Sequence, residues 1–461
     1  MKALKEISIS EILSATDGKL ISGNTDDTIN CVCIDSRKVT KGSLFVPLVG
    51  ENTDGHNYIQ NAFESGAKVS FCQPGKSSDT FGGAIIEVDS TLDALQKLAK
   101  YYRSKFSIPF IGVSGSVGKT TTKEMIATVL SENLKVLKTE GNYNGQIGLP
   151  LTIFNLDDTH EAAVLEMGVS KFGEMEKLAE IADIDIAVIT NIGLSHIENF
   201  KDMKNTCAEK LKMIKKDNGI VLLNGDSPAL TEAKPSNPSQ KIIFFGMNGS
   251  YPYKFEDISF HNSNTEFTLV TDNFKDTVTI PCLGMHNVYN ALAAIGVASE
   301  LGIHFEDIKR GLMKFKNVGM RQQVFNLRDI VLVDDSYNAS PDSVKSSAKI
   351  LRNINSEGKN VLVIADMLEL GARSKEIHFE TGRYIALEGI DVLITIGENA
   401  KYLSEGALSV KSDLQSYYCS GNDEAFEVLK NILQKNDKVL IKGSRGMHTD
   451  EISAKIKEYY S

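Results

Sequence analysis

The stretch of this chain best suited to chemistry is Gly115-Ser116-Val117-Gly118-Lys119-Thr120-Thr121. Bound phosphate needs several backbone N–H groups converging on one point, and glycine lets the chain approach with no Cβ in the way. The apolar run Phe110–Val113 precedes the stretch and helix-forming residues follow it. The turn therefore sits at a helix N-terminus, where the dipole adds roughly 0.3–1 kcal/mol per anion. There Lys119 would neutralise the β- and γ-phosphates of a nucleotide, and the Thr120 hydroxyl would ligate Mg2+. The spacing departs from the strict GxxxxGKS/T loop, because Val113 stands where the first glycine belongs. An ordinary strand-to-helix turn is the other reading of the same residues.

Two more side chains could complete a metal site. Glu166 closes the apolar run AAVLE and His196 follows the run AVITNIGL, so both are expected at strand ends on the sheet edge that carries the phosphate loop. Mg2+ prefers a carboxylate or hydroxyl plus phosphate oxygens and keeps several waters. Glu166 and Thr120 suit one such ion. His196 is a less common ligand that would need an anionic companion, and taken alone it reads as a loop or packing histidine. Lys210 lies in the helix-like stretch MKNTCAEKLKMIKK and by itself reads as a solvated lysine on a charged face.

The elements that must position these groups fit a chain of 461 residues, enough for about three domains. Short strand-like runs (CVCIDS, SLFVPLVG, KVSFCQ) fill residues 1–104, and apolar residues recur at helical spacing over 91–105 before Pro109. A second region, 105–313, alternates the apolar runs AAVLEMG, IAVITNIG and GIVLLNGD with helical stretches, which reads as α/β with a largely parallel sheet. Residues 228–240, with Pro228, Pro235 and Pro238, read as a polar connection. From about 314 to 461 a third set of strands begins (IVLVDDS, NVLVIADM, DVLITIGE, KVLIKGS), each followed by a helix candidate. Such strands place functional groups at the carboxyl edge of a sheet.

A net charge of −10 argues against a general nucleic-acid or membrane-surface binder, since both surfaces are anionic. No apolar run approaches the roughly 20 residues needed to cross a bilayer, and the N-terminal stretch has charges where a signal peptide has an apolar core. The scattered cysteines fit neither a zinc site nor a disulfide framework, so a reducing cytoplasm is the expected compartment.

These features resemble the Mur ligases, over nearly the whole chain. The loop GSVGKTT is similar to the family's G-x-x-G-K-T-S/T loop, in which Val113 is no longer anomalous. The block from Gly141-Asn142-Tyr143-Asn144-Gly145 to Gly148-Leu149-Pro150-Leu151-Thr152 resembles G-N-x-N-N-x-x-G-x-P-x-T, with Gly145 in place of the second asparagine. Glu166 in LEMG and His196 in NIGLSHIE match the family's Mg2+ ligands. Lys210 falls at its carbamylated lysine, where CO2 converts a cation into the anionic companion that His196 lacked. Gly284-Met285-His286-Asn287-Val288-Tyr289-Asn290-Ala291-Leu292 resembles G-x-H-N-x-x-N-A-L, the segment of adenine contacts, and Arg321 matches an arginine that meets phosphate from the third domain. Asp334-Asp335-Ser336-Tyr337-Asn338-Ala339, Ala365-Asp366-Met367-Leu368-Glu369-Leu370-Gly371 and Lys442-Gly443-Ser444-Arg445 are similar to D-D-S-Y-N-A, G-D-M-x-E-L-G and K-G-S-R, the blocks of the branch that adds D-alanyl-D-alanine. Ala365 replaces the first glycine of its block. Ser36-Arg37 and Asp54-Gly55-His56 match the elements around the UDP moiety.

The resemblance implies an N-terminal UDP-binding α/β domain, a central P-loop-type ATPase domain with a mostly parallel sheet, and a C-terminal Rossmann-like α/β domain. It implies a reaction too: the carboxylate of UDP-MurNAc-tripeptide attacks the γ-phosphate of ATP, and the D-alanyl-D-alanine amine displaces phosphate from the acyl phosphate. ATP, two Mg2+ ions and a carbamylated Lys210 belong to that expectation, with Lys119, Glu166, His196 and Lys210 catalytic. Nucleotide contacts fall to Gly115 through Thr121, Asn287, Asn290, Arg321 and Asp335. Substrate contacts fall to Ser36, Arg37, Asp54, Gly55, His56, Asn142, Asn144, Tyr337, Asn338, Lys442 and Arg445. A monomer without nucleic-acid or membrane partners is expected, and Arg321 and Asp335 are expected to reach the nucleotide only when the third domain rotates inward. The rival readings are a Mur-type ligase adding diaminopimelate or lysine, a folylpolyglutamate synthase, and a non-catalytic nucleotide-binding module.

Overall fold

Phe110–Ser114, all five residues buried, runs through the interior of a nine-stranded sheet with parallel neighbours on both sides. The computed structural model that shows this describes residues 4–76, 82–232, 239–261, 263–354 and 356–461. The neighbours are Ala162–Glu166 and Ile186–Ile189, so the loops after all three strands leave one sheet edge together. Beyond Ile186–Ile189 the sheet continues through Ile220–Asn224 and Lys241–Gly246.

It then turns antiparallel through Tyr253–His261, Asn264–Thr271 and Lys275–Ile280, three strands with no counterpart in the sequence reading. They mix buried with partly exposed positions and so lack a continuous apolar run. The polar connection around Pro228 joins two strands of this one sheet, with Pro228 opening the short helix Pro228–Thr231. Pro235 and Pro238 lie outside the described residues.

Helices Lys119–Leu130 and Met285–Glu300 cover one face of this sheet. The second is rich in alanine and lets the backbones come close, while its buried Val288, Leu292 and Ile295 each contribute roughly 1.5–3 kcal/mol of apolar transfer. The other face packs Glu174–Ala182 and the N-terminal helix Thr91–Ser104 into a core shared with the first domain. That domain holds a five-stranded sheet in the order Lys19–Ser22, Ala84–Glu87, Ala67–Cys72, Ser43–Phe45, Cys31–Cys33. The buried Arg103 locks the first two domains together, donating to the carbonyls of Ala182, Asp183 and Phe106.

The third domain is a six-stranded sheet, parallel except for its first strand, in the order Gln323–Asn326, Val331–Asp334, Lys438–Lys442, Asn360–Ala365, Val392–Ile396, Gln415–Cys419. The carboxyl ends of Val331–Asp334, Asn360–Ala365 and Lys438–Lys442 face the phosphate-loop edge of the central sheet. All six cysteines are free and buried. No helix among the described residues is long and apolar enough to cross a membrane.

Candidate active site

The phosphate loop begins as the Phe110–Ser114 strand ends and closes as the helix starts at Lys119. Gly115 (φ 147°) and Gly118 (φ 87°) occupy backbone conformations that disfavour side chains, and a Cβ at Gly118 would lie 2.9 Å from the Asn290 amide oxygen. No side chain caps this helix, so its first N–H groups are open to an anion. Asn191 shapes the loop from behind: its Oδ1 accepts from Ser116 N (3.1 Å) and Val117 N (2.8 Å). Ser116 Oγ accepts from Gly193 N at 2.9 Å. Lys119 folds back on its own loop and donates to Gly115 O at 2.9 Å. Desolvation holds its ammonium below the usual range, aided by nearby Arg321 and opposed by Glu166.

Glu166 is buried and fully engaged. Thr120 Oγ1 donates to its Oε2 (2.8 Å) and Asn144 Nδ2 to its Oε1 (2.7 Å). The Thr139 hydroxyl accepts from the Glu166 backbone N–H, and the buried Lys123 fixes the Thr139 carbonyl. The carboxylate, the hydroxyl and the asparagine are thus one unit before any ligand arrives.

His196 lies well past the end of its strand, at φ 55°, capping the start of the short helix Ile197–Phe200. Its Nδ1 is 2.7 Å from Glu369 Oε2 of the third domain, close enough for an ionic contact but not aligned for a hydrogen bond. Ile197 packs into the third-domain core beside Met367 and Leu370. Lys210, expected to be solvated, is 2% exposed within the helix Met203–Leu211. Burial, reinforced by Lys119, pushes its ammonium down to about 7.

Across from these groups stand Asp335 and Lys442, a buried pair at 2.6 Å, with Ser347 Oγ donating to the same carboxylate oxygen. The Arg321 guanidinium stacks on the Tyr337 ring at 3.8 Å. One cleft of about 520 Å³ is lined by Ser116 through Thr121, Asn142, Asn144, Glu166 and His196 on the central side and by Arg321, Asp335, Tyr337, Asn338, Lys442 and Arg445 on the third-domain side. The expected inward rotation is therefore not needed here: the third domain already faces the phosphate loop.

The sequence-predicted residues do not all converge. Asn287 is absent from the cleft wall, buried behind it with both polar atoms of its side chain bonded internally. Ser36, Arg37, Asp54, Gly55 and His56 form a separate first-domain group. Arg37 is exposed and pairs with Asp35, while Asp54 holds His56 (2.6 Å) and Lys76 (2.8 Å). Lys76 and the His56 contacts keep the Asp54 carboxyl well below the carboxylate range.

Comparison with known proteins places this arrangement. Residues 28–103 match the Mur ligase family catalytic domain, 113–298 the Mur ligase middle domain, and 320–445 the Mur ligase glutamate ligase domain. A UDP-N-acetylmuramoyl-tripeptide–D-alanyl-D-alanine ligase of Bacillus subtilis is 38% identical over 96% of this chain and 97% of its own. The chain belongs to the Mur ligase family. In three dimensions this Mur ligase resembles MurF from Acinetobacter baumannii (TM-score 0.91, 28% identity, 99% of this chain and 100% of that one). It also resembles MurF from Thermotoga maritima solved in complex with ADP (TM-score 0.82, 29% identity, 93% and 97%).

Among the cleft or near-cleft residues of this Mur ligase that escaped the sequence reading are Asn191, His286, Gln322 and Glu369. His286 and Glu369 stood inside quoted motifs, but nothing in a linear string shows that Glu369 meets His196 from another domain. Gln322, with φ 53°, carries no signal beyond its position after Arg321.

Proposed function

We propose that this Mur ligase joins D-alanyl-D-alanine to UDP-MurNAc-tripeptide, with ATP converted to ADP and phosphate. The carrying observation is the single cleft in which a phosphate loop and a carboxylate–hydroxyl unit face the cationic third-domain edge. ATP would seat its phosphates on the open N–H groups before Thr121, with Lys119 swinging from the Gly115 carbonyl onto the β/γ bridge. Arg321 would neutralise charge from the opposite wall, since phosphoryl transfer depends on positioning and electrostatics. The peptide carboxylate takes the γ-phosphoryl group, the dipeptide amine attacks the acyl carbon, and phosphate leaves. Asn142 and Asn144 would position the peptide end, and Tyr337, Asn338, Lys442 and Arg445 the incoming dipeptide. Ser36, Arg37, Asp54, Gly55 and His56 would hold the UDP end. Domain facing matters because an acyl phosphate exposed to water hydrolyses.

No cluster of three or more metal-binding side chains occurs among the described residues. One carboxylate and one hydroxyl suit Mg2+, which is held largely by substrate phosphates and water. Glu166 and Thr120 would hold it, and it supplies charge neutralisation when bound. His196 would serve a second ion if Lys210 were anionic. A buried amine titrating near 7 is partly neutral at physiological pH and can add to CO2, forming a C–N bond and releasing one proton. Labelled bicarbonate should give a carbamyl carbon signal in NMR, and Lys210→Ala should be partly rescued by small carboxylates. Absence of both would remove the carbamate and leave the ligase. The unpaired cysteines suit a cytoplasmic enzyme.

Phosphate release tests the reading. UDP-MurNAc-tripeptide and D-alanyl-D-alanine should both be required, whereas release with diaminopimelate, lysine or glutamate in place of the dipeptide would favour a rival ligase.

A further inference from the structure

An amide ladder runs behind the nucleotide side of the cleft. Thr122 Oγ1 donates to Asn290 Oδ1 (2.9 Å), Asn290 Nδ2 to Asn287 Oδ1 (3.1 Å), and Asn287 Nδ2 to Gln322 Oε1 (3.2 Å). One contact fixes the polarity of the whole ladder. Asn287 Nδ2 also donates to the Leu283 backbone carbonyl at 2.8 Å, and a carbonyl can only accept. Asn287 must therefore point its nitrogen at Leu283 and Gln322 and its oxygen at Asn290. The Gln322 oxygen, and not its nitrogen, must face inward.

A second neighbour agrees. His286 Nε2 lies 3.0 Å from the same Gln322 oxygen. Burial holds the His286 imidazole below its usual range, and the tautomer with its proton on Nε2 donates to that oxygen. With the Asn287 NH2 group aimed at its oxygen, the Gln322 amide cannot flip without setting two NH2 groups against each other. Its backbone is held as well, in the left-handed region (φ 53°) with Asn317 Nδ2 donating to its carbonyl at 3.0 Å.

The consequence lies on the other side of the amide. Among the described residues none accepts from the Gln322 Nε2 hydrogens, and Gln322 lines the cleft with His286, Asn290 and Arg321. Asn290 abuts Gly118, so this wall begins where the phosphate loop ends. A nucleotide whose phosphates occupied that loop would lay its base along this wall. Phosphate is served by Lys119 and Arg321; an uncharged, oriented NH2 suits a ring nitrogen of a purine, which only accepts.

We infer that Gln322 is a nucleotide-specificity residue whose pre-oriented amide donates to a ring-nitrogen acceptor of the purine base. The inference rests on the reading that ATP uses this cleft. It assigns base recognition to a residue of the interdomain connection, with Asn287 acting as the element that orients it.

Binding of ATP with Mg2+ to the full chain, by calorimetry, tests this through Gln322→Met and Gln322→Glu together with 1-deaza-, 3-deaza- and 7-deaza-ATP. Loss of one such hydrogen bond weakens binding about tenfold. Gln322→Met should bind ATP about tenfold more weakly, and Gln322→Glu more weakly still. One deaza analogue should lose about tenfold on the natural protein and nothing further on Gln322→Met. If the variant only loosened the ladder, all analogues would weaken both proteins alike, which overturns the inference. So does Gln322→Met binding ATP within twofold of the natural protein. A natural protein that bound no ATP would sink the ligase reading as well, which separates the two failures.

Discussion

Replacing Lys442 with methionine would strand the Asp335 carboxylate in the third-domain edge with one hydroxyl donor, Ser347. The two side chains are 2.6 Å apart, and the residues are 5% and 3% exposed, so little water reaches the carboxylate to replace the ammonium. Breaking such a buried pair from one side costs about 3–5 kcal/mol, while removing both charges is often neutral. Lys442→Met should therefore destabilise the third domain by that amount. The double variant with Asp335→Asn, which still offers Ser347 an acceptor, should return to within about 1 kcal/mol of the natural protein.

Because the chain has three domains, global melting would blur the effect, and hydrogen exchange reads it locally. Amide protection at Leu332, Val333, Leu440 and Ile441, all in the two strands that end at the pair, should fall by roughly two to four orders of magnitude in Lys442→Met. It should recover in the double variant. Protection unchanged in the single variant, or equally lost in the double, would refute the reasoning: the pair would then be a loosely held surface contact.

Two other outcomes follow from the central side of the cleft. Glu166→Gln offers one acceptor where Thr120 and Asn144 need two, so kcat should fall by at least about a hundredfold with the fold retained; turnover within tenfold of the natural enzyme would contradict the assigned role. For Lys210, the folded value near 7 lies below the ordinary lysine value of 10.5, so the unfolded chain binds more protons between those limits. Stability should rise with pH through that window, by about 2 kcal/mol from pH 7 to 9 in CO2-depleted buffer, and stay flat below 7. Parallel stability curves for the natural protein and Lys210→Met would show that this lysine does not titrate as its burial demands.

The parallel strands were legible because both of their faces are buried, which writes them as unbroken runs such as AAVLE and NVLVIA. The Tyr253–Ile280 meander was not, since strands at a sheet margin mix polar and apolar residues in a pattern a loop also satisfies. The phosphate loop and Glu166 could be found locally, because a strand end followed by a helix start already defines their geometry. Lys210 looked solvated for a physical reason: lysines crowd its stretch MKNTCAEKLKMIKK, and only the folded packing shows which of them is enclosed. Contacts such as Glu369 with His196, or Leu283 setting the direction of Gln322 through Asn287, join segments distant along the chain and exist only once the domains meet.

An isotope experiment bears most directly on the chemistry assigned to the cleft. UDP-MurNAc-tripeptide carrying 18O in its terminal carboxylate, incubated with ATP, Mg2+ and D-alanyl-D-alanine, should yield phosphate containing one labelled oxygen for each amide bond formed. Amide formation with unlabelled phosphate, or ATP cleavage without any coupled product, would contradict carboxylate activation by the phosphate loop.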